Sequence, residues 1–187
     1  MRLISGVVED RNRTAEANHP KHERLNVREV LMAFLHDVND RYFEDYVEGD
    51  VHNFGTVEVE VDEIISFAKR YDPQPIHTDP DVAKLKPFGG IIASGWHTVG
   101  LMMRLYVEYY LSNVASLVSP GIDDLRWHKP VRPGDRLSVR VTIAKTVASK
   151  SKPDRGIVTS LVEVYNQHSE LVMSLTAMNI ILKRKTA

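Results

Sequence analysis

Residues 56–61 read Thr-Val-Glu-Val-Glu-Val, a strict alternation that predicts a strand with one buried face. Upstream, Val27, Val30, Leu31, Phe34, Leu35, Val38 and Tyr42 recur at helical spacing behind an Asn26/Glu29 capping pair. That pattern predicts an amphipathic helix over 27–42. Residues 1–24 are polar, mixed in charge and without period, and read as an irregular arm. After the strand the period switches. Asp62 is placed to cap a short helix carrying Ile64, Ile65, Phe67 and Ala68, which delivers the chain to Tyr71. Asp79 and Pro80 read as cap and first-turn proline of another short helix ending near Leu85. Ser94 is placed to cap a helix over 96–111 that is apolar on nearly every side, with Arg104 and Glu108 as an i,i+4 pair. Such a helix is expected to be largely buried.

Residues 125–128, 136–145, 157–165 and 171–182 are β-rich or alternating, and the breaks between them carry Pro133-Gly134-Asp135, Pro153-Asp154-Arg155-Gly156 and Asn166-Gln167-His168. Consecutive strands joined by turns this short run antiparallel. One long buried helix followed by a curled antiparallel sheet is an α+β architecture of the hot-dog type, here with an N-terminal helical extension. Residues 1–41 form the arm and amphipathic helix on this reading, and 42–187 a single domain.

Composition narrows the chemistry. At 187 residues, 43% hydrophobic and 26% charged, the chain is long enough for one real core and has no apolar run able to span a bilayer. Its N-terminal residues carry acids and polar groups where a secretion signal needs an apolar stretch, so a cytoplasmic location is expected. The absence of cysteine removes disulfides, thiolate nucleophiles and cysteine-ligated metals. A net charge of −1 offers no general attraction to nucleic acid. Eight histidines include no HxH or HxxxH pair, so no metal is expected.

The chemistry-bearing stretch is Tyr71-Asp72-Pro73-Gln74-Pro75-Ile76-His77-Thr78-Asp79. Pro73 and Pro75 fix their own φ and push Asp72 and Gln74 out of the α region, so a stiff extended turn, neither helix nor strand, is expected. Asp72 and His77, five residues apart, can hold one water and divide acid and base roles, since Asp titrates near 4 and His near about 6.5. Taken alone, the same residues are also an ordinary turn with a nearby histidine.

YDPQPIHTD, then FGGIIASGWHT, then LRWHKPVRPGD, in that order, resemble the MaoC-like acyl dehydratases, a family that includes the (R)-specific enoyl-CoA hydratases. The resemblance runs over about 42–182. It implies that Asp72 and His77 match the catalytic pair of the family turn D-x-N-P-[hydrophobic]-H, with Gln74 where the family has Asn. It also implies an oxyanion hole at the amide of Gly95, eighteen residues after His77. A helix start suits that role, because its N–H groups are unpaired and face the positive end of the dipole. Gln74, Ser94, Trp96, Arg126 and Arg132 are the substrate-binding candidates, Trp96 being equally readable as core. Arg126, Lys129, Arg132 and Arg136 cluster where they could meet the phosphates of coenzyme A. The implied activity is reversible hydration of an enoyl-CoA thioester, with coenzyme A part of the substrate, no separate cofactor, no nucleic-acid or membrane partner, and a homodimer or higher homo-oligomer as the assembly.

Two rival readings stand beside it. A hot-dog thioesterase places a carboxylate on or near the central helix, where this chain offers only Glu108. A non-catalytic acyl-CoA binder needs neither Asp72 nor His77.

Overall fold

The computed structural model describes residues 34–185. Its elements are β1 (Val51–Glu58), α1 (Val61–Tyr71), α2 (Pro75–Thr78), α3 (Pro80–Lys84), α4 (Gly95–Tyr109), β2 (Ser116–Trp127), β3 (Arg136–Ala148), β4 (Arg155–Tyr165) and β5 (Leu171–Leu182), with a 3-10 turn at Phe43–Asp45 before β1. The five strands form one antiparallel sheet in the order β1-β3-β4-β5-β2. Alternation sets the inner face: Leu137, Val139, Val141 and Ile143 on β3, Val158, Val162 and Val164 on β4, and Met173, Leu175 and Ile181 on β5 are all buried. Against this face lies α4, through Leu101, Met102, Leu105 and Tyr106. The expected α+β hot-dog arrangement is the observed one.

Buried hydroxyls fix how α4 sits. Tyr106 Oη donates to Asn179 Oδ1 at 3.0 Å, Tyr110 Oη and Ser160 Oγ share a bond of 2.7 Å, and Tyr46 Oη donates to the Tyr110 carbonyl at 3.0 Å. Burial pushes the Tyr46 phenol up to about 12, so these groups remain neutral donors at ordinary pH. A rotation of the helix would strand several polar atoms in the core.

Four expectations shift. The strand expected at 56–61 spans Val51–Glu58, because a bulge at Gly55 (φ 69°) breaks the alternation earlier in the strand. At that glycine an added Cβ would lie 2.6 Å from Leu105 of α4. Strand β2 begins at Ser116, well before 125; Pro120, Gly121, Asp123 and Asp124 disguise it, and they are tolerated because it is an edge strand with bulges. The central helix is less enclosed than expected, with Trp96, Met103, Val107 and Tyr109 exposed. Of the helix expected over 27–42, residues 27–33 lie outside the described residues, as does the arm at 1–24. From 34 to 42 the chain is not helical.

The reason for that last difference is local. Asp37 turns back on Asn39, its Oδ1 accepting the Asn39 N–H at 2.6 Å, while Phe34 stacks on His52 with ring centroids 3.8 Å apart. Arg41, only 4% exposed, lies over Phe34 and donates to the carbonyls of His36, Tyr109 and Tyr110. It thereby satisfies the last carbonyls of α4 and places a cation at the negative end of its dipole. Replacing Arg41 by Ala is expected to cost about 2–3 kcal/mol in urea unfolding, since charged hydrogen bonds to buried acceptors are lost; a cost under about 0.5 kcal/mol would contradict the capping role.

Candidate active site

Helix α1 ends at Asp72, whose N–H still donates to the Ala68 carbonyl at 2.9 Å. The two prolines then take separate roles. Pro73 follows the last helical cap, and Pro75 is the first residue of α2, so the segment expected to exclude helix contains one helical turn over Pro75–Thr78. Proline at that position loses an N–H that the helix would leave unpaired anyway. The short helix lifts His77 toward Asp72. Asp79 caps α3, accepting from the Asp81 and Val82 amides as expected.

The segment before α4 runs extended beside α2. Ile92 N–H donates to the Ile76 carbonyl at 3.3 Å, the Ile92 carbonyl accepts from His77 Nδ1 at 2.8 Å, and Ala93 N–H donates to the Val131 carbonyl at 2.8 Å. A carbonyl can only accept, so Nδ1 carries the proton and Nε2 presents the lone pair in neutral His77. That Nε2 lies 3.5 Å from Asp72 Oδ2.

Asp72 is held by two neutral donors. Gln74 Nε2 donates to Oδ1 at 2.8 Å and Ser94 Oγ donates to Oδ2 at 2.7 Å. The Gln74 amide, followed by the Ser94 hydroxyl, keeps the Asp72 carboxyl below its ordinary value. Ser94 Oγ also accepts the Trp96 N–H at 3.3 Å, so one wholly buried hydroxyl caps α4 and braces Asp72. Gly95 is the first residue of that helix. A Cβ added there would lie 2.5 Å from the Trp127 ring, whose Nε1 donates to the Gly95 carbonyl at 3.0 Å. Only glycine fits between helix and indole.

A cleft of about 460 Å³ brings these groups together, with Asp72, Gln74, His77, Gly95, Trp96 and Trp127 on its lining. Ser94 lies behind them, against Asp72 and not on the lining. Arg126 lies outside the cleft, exposed and donating to the Leu125 carbonyl. Arg132 also lies outside, beside a neighbouring cavity of about 270 Å³, and its guanidinium holds the Phe88 carbonyl at 2.8 Å. Phe88 itself lines the cleft, so Arg132 reaches it only through that loop. Lys129 lines both cavities and is paired with Glu170. Glu108 is exposed on α4 and is not on the cleft lining. His97 lies buried behind the cleft, its Nε2 3.5 Å from Glu63. Sequence reasoning gave no role to Trp127, Phe88 or the Ile92 carbonyl, although all three lie within the quoted motifs FGGIIASGWHT and LRWHKPVRPGD. Among the described residues no cluster of three or more histidines and acids could hold a metal, and no helix is long and apolar enough to cross a membrane.

Comparison with known proteins gives a consistent picture. A family model described as a MaoC like domain matches residues 44–166. The solved structure of the MaoC-like dehydratase from Rhodospirillum rubrum is 38% identical and superposes with a TM-score of 0.72, over 78% of this chain and 99% of that one. The uncharacterized protein YdeM of Bacillus subtilis is 30% identical over 142 residues, covering 75% of this chain and 98% of its own. The 3-hydroxybutyryl-CoA dehydratase of Methylorubrum extorquens is 30% identical over 112 residues, 59% of this chain and 69% of its own.

The bracing of Asp72 generates a prediction. Its contribution to stability is present above the unfolded carboxyl value near 3.8 and is lost as pH falls through the lower folded value. Ser94→Ala should move that loss to higher pH, seen as an upward-shifted Asp72 carboxylate titration by NMR, with about 1 kcal/mol of cap stability also lost. An unmoved Asp72 titration would mean that the hydroxyl does not act on the carboxylate.

Proposed function

The chain belongs to the MaoC-like dehydratase family, and from that premise we propose that it catalyses reversible hydration of an enoyl thioester carried on coenzyme A. The observation that carries this reading is His77 Nε2, a base whose lone pair is left free by the Nδ1 bond, 3.5 Å from an anionic Asp72 in a cleft whose wall includes Gly95. The naming of one relative as a 3-hydroxybutyryl-CoA dehydratase supports the substrate class.

The roles follow from the hydrogen bonds. A water donating to both His77 Nε2 and Asp72 Oδ2 is oriented with its oxygen toward the substrate β-carbon. As the C–O bond forms, His77 Nε2 takes one water proton and the double-bond electrons move onto the thioester oxygen. The Gly95 N–H, unpaired within its helix, donates to that oxygen. His77 then returns its proton to the α-carbon, and the sum is one water added across the double bond. Asp72 stays anionic throughout, because Gln74 and Ser94 both donate to it, and it stabilises the transient imidazolium. Dehydration is the same path reversed.

Two chains are proposed to associate. Strand β2 is an edge with Leu117, Val118 and Ile122 exposed, and α4 exposes Met103, Val107 and Tyr109. An apolar edge of this kind invites pairing with a second copy.

With crotonyl-CoA as substrate, His77→Ala and Asp72→Asn should each lower turnover by about a hundred-fold or more while circular dichroism stays unchanged. Loss of the conjugated thioester absorbance without free thiol is the expected signature; thiol release would replace the reading by thioester hydrolysis. For assembly, light scattering should give twice the chain mass, and Val118→Lys should shift it toward the monomer; a wild-type monomer at micromolar concentration would overturn the pairing.

A further inference from the structure

Strand β2 changes face partway along. Ile122 lies opposite Ala177 and Asp123 opposite Thr176, but beyond the bulge Arg126 lies opposite Ser174 and Trp127 opposite Met173. Directly opposed residues share a face of the sheet. Had the earlier register continued, Arg126 would oppose Met173 and point inward, and Trp127 would point out. One extra residue reverses them. The turn is made at Asp124, which holds φ 52°, a left-handed conformation that few non-glycine residues adopt. A strained residue on an otherwise replaceable edge strand calls for a purpose, and its effect is to place the indole of Trp127 against Gly95.

There the ring is fixed rather than loose. Nε1 is bonded to the Gly95 carbonyl, and the Trp96 ring meets it edge to face with centroids 5.6 Å apart. The indole, 46% exposed, thus lines the cleft directly beside Gly95. Around it the cleft is lined by Phe88, Ile92 and Val131, and the cavity of about 330 Å³ at Asn53, Phe54 and Tyr165 shares no lining residue with it.

We propose that Trp127, turned inward by the bulge at Asp124, is the specificity-determining wall that ends the acyl compartment and restricts the site to short acyl chains. This inference rests on the acyl-thioester reading above. Its test separates binding from turnover. Dissociation constants for saturated butanoyl-CoA and octanoyl-CoA are measured by calorimetry on wild type, Trp127→Ala and Trp127→Phe, with turnover of the C4 and C8 enoyl-CoAs measured alongside. Trp127→Ala should raise the preference for C8 over C4 by about ten-fold or more, whereas Trp127→Phe, which keeps a ring there but loses the bond to Gly95, should shift that preference less. General damage to the fold lowers both substrates together and leaves the ratio unmoved. An unchanged ratio in Trp127→Ala, or a wild type that already prefers C8, overturns the wall. A shifted binding ratio without turnover sustains the wall and sinks the hydration reading; no binding of either acyl-CoA sinks both. Asp124→Gly, which keeps the left-handed backbone without strain, should match wild type, and a shifted ratio there would count against the bulge as the aiming device.

Discussion

A helix that begins inside a protein leaves N–H groups with no partner in the helix, and the arrangement of this molecule turns on how α4 resolves that. The Ser94 hydroxyl takes the Trp96 amide, and its own proton goes to Asp72. Trp127 takes the Gly95 carbonyl from the opposite side. The Gly95 N–H takes no part in these bonds, and it sits at the start of a helix whose rotation the buried tyrosine hydroxyls have already set. Moving the helix start would disturb the carboxylate, the indole and the amide together.

The charge state of the site follows from the kind of donors used. Asp72 is kept ionised by an amide and a hydroxyl rather than by lysine or arginine. A cation in contact would hold the carboxylate down further but would also neutralise its field at His77. Neutral donors leave the negative charge available to a positive imidazolium beside it. The nearby cations are committed elsewhere, Lys129 to Glu170 and Arg132 to the Phe88 carbonyl.

The parts of the fold written in strong periodicity were legible from the chain: β3, β4, β5, the start of α4 and the capped turn at Asp79. Asp72, His77 and Gly95, singled out by the order and spacing of motifs, lie on one cleft. What escaped has a common physical cause. Pro75 read as a helix breaker because its position within a helix is invisible until the helix is known. Only the end of strand β2, from 125, read as strand, because edge strands tolerate the residues that mark turns. Arg126, expected to bind substrate, lies opposite Ser174 and outside the cleft because a bulged residue shifts the register ahead of it. Residues 34–42 carried helical spacing, yet Asp37 and Asn39 turn the backbone and the Arg41 guanidinium is occupied by carbonyls far along the chain.

The pairing of β1 with β3 carries a consequence for how the molecule comes together. Val51 lies opposite Thr142, so the segment bearing Asp72, His77 and Gly95 belongs to a loop of roughly ninety residues closed by that ladder. Such closure pays its entropy before the contacts it permits can repay it, and contacts of long sequence separation form slowly. On the ribosome, every one of those three residues is made before β3 exists. The residues that line the cleft are thus early in the chain, while the ladder that closes their segment is made only later.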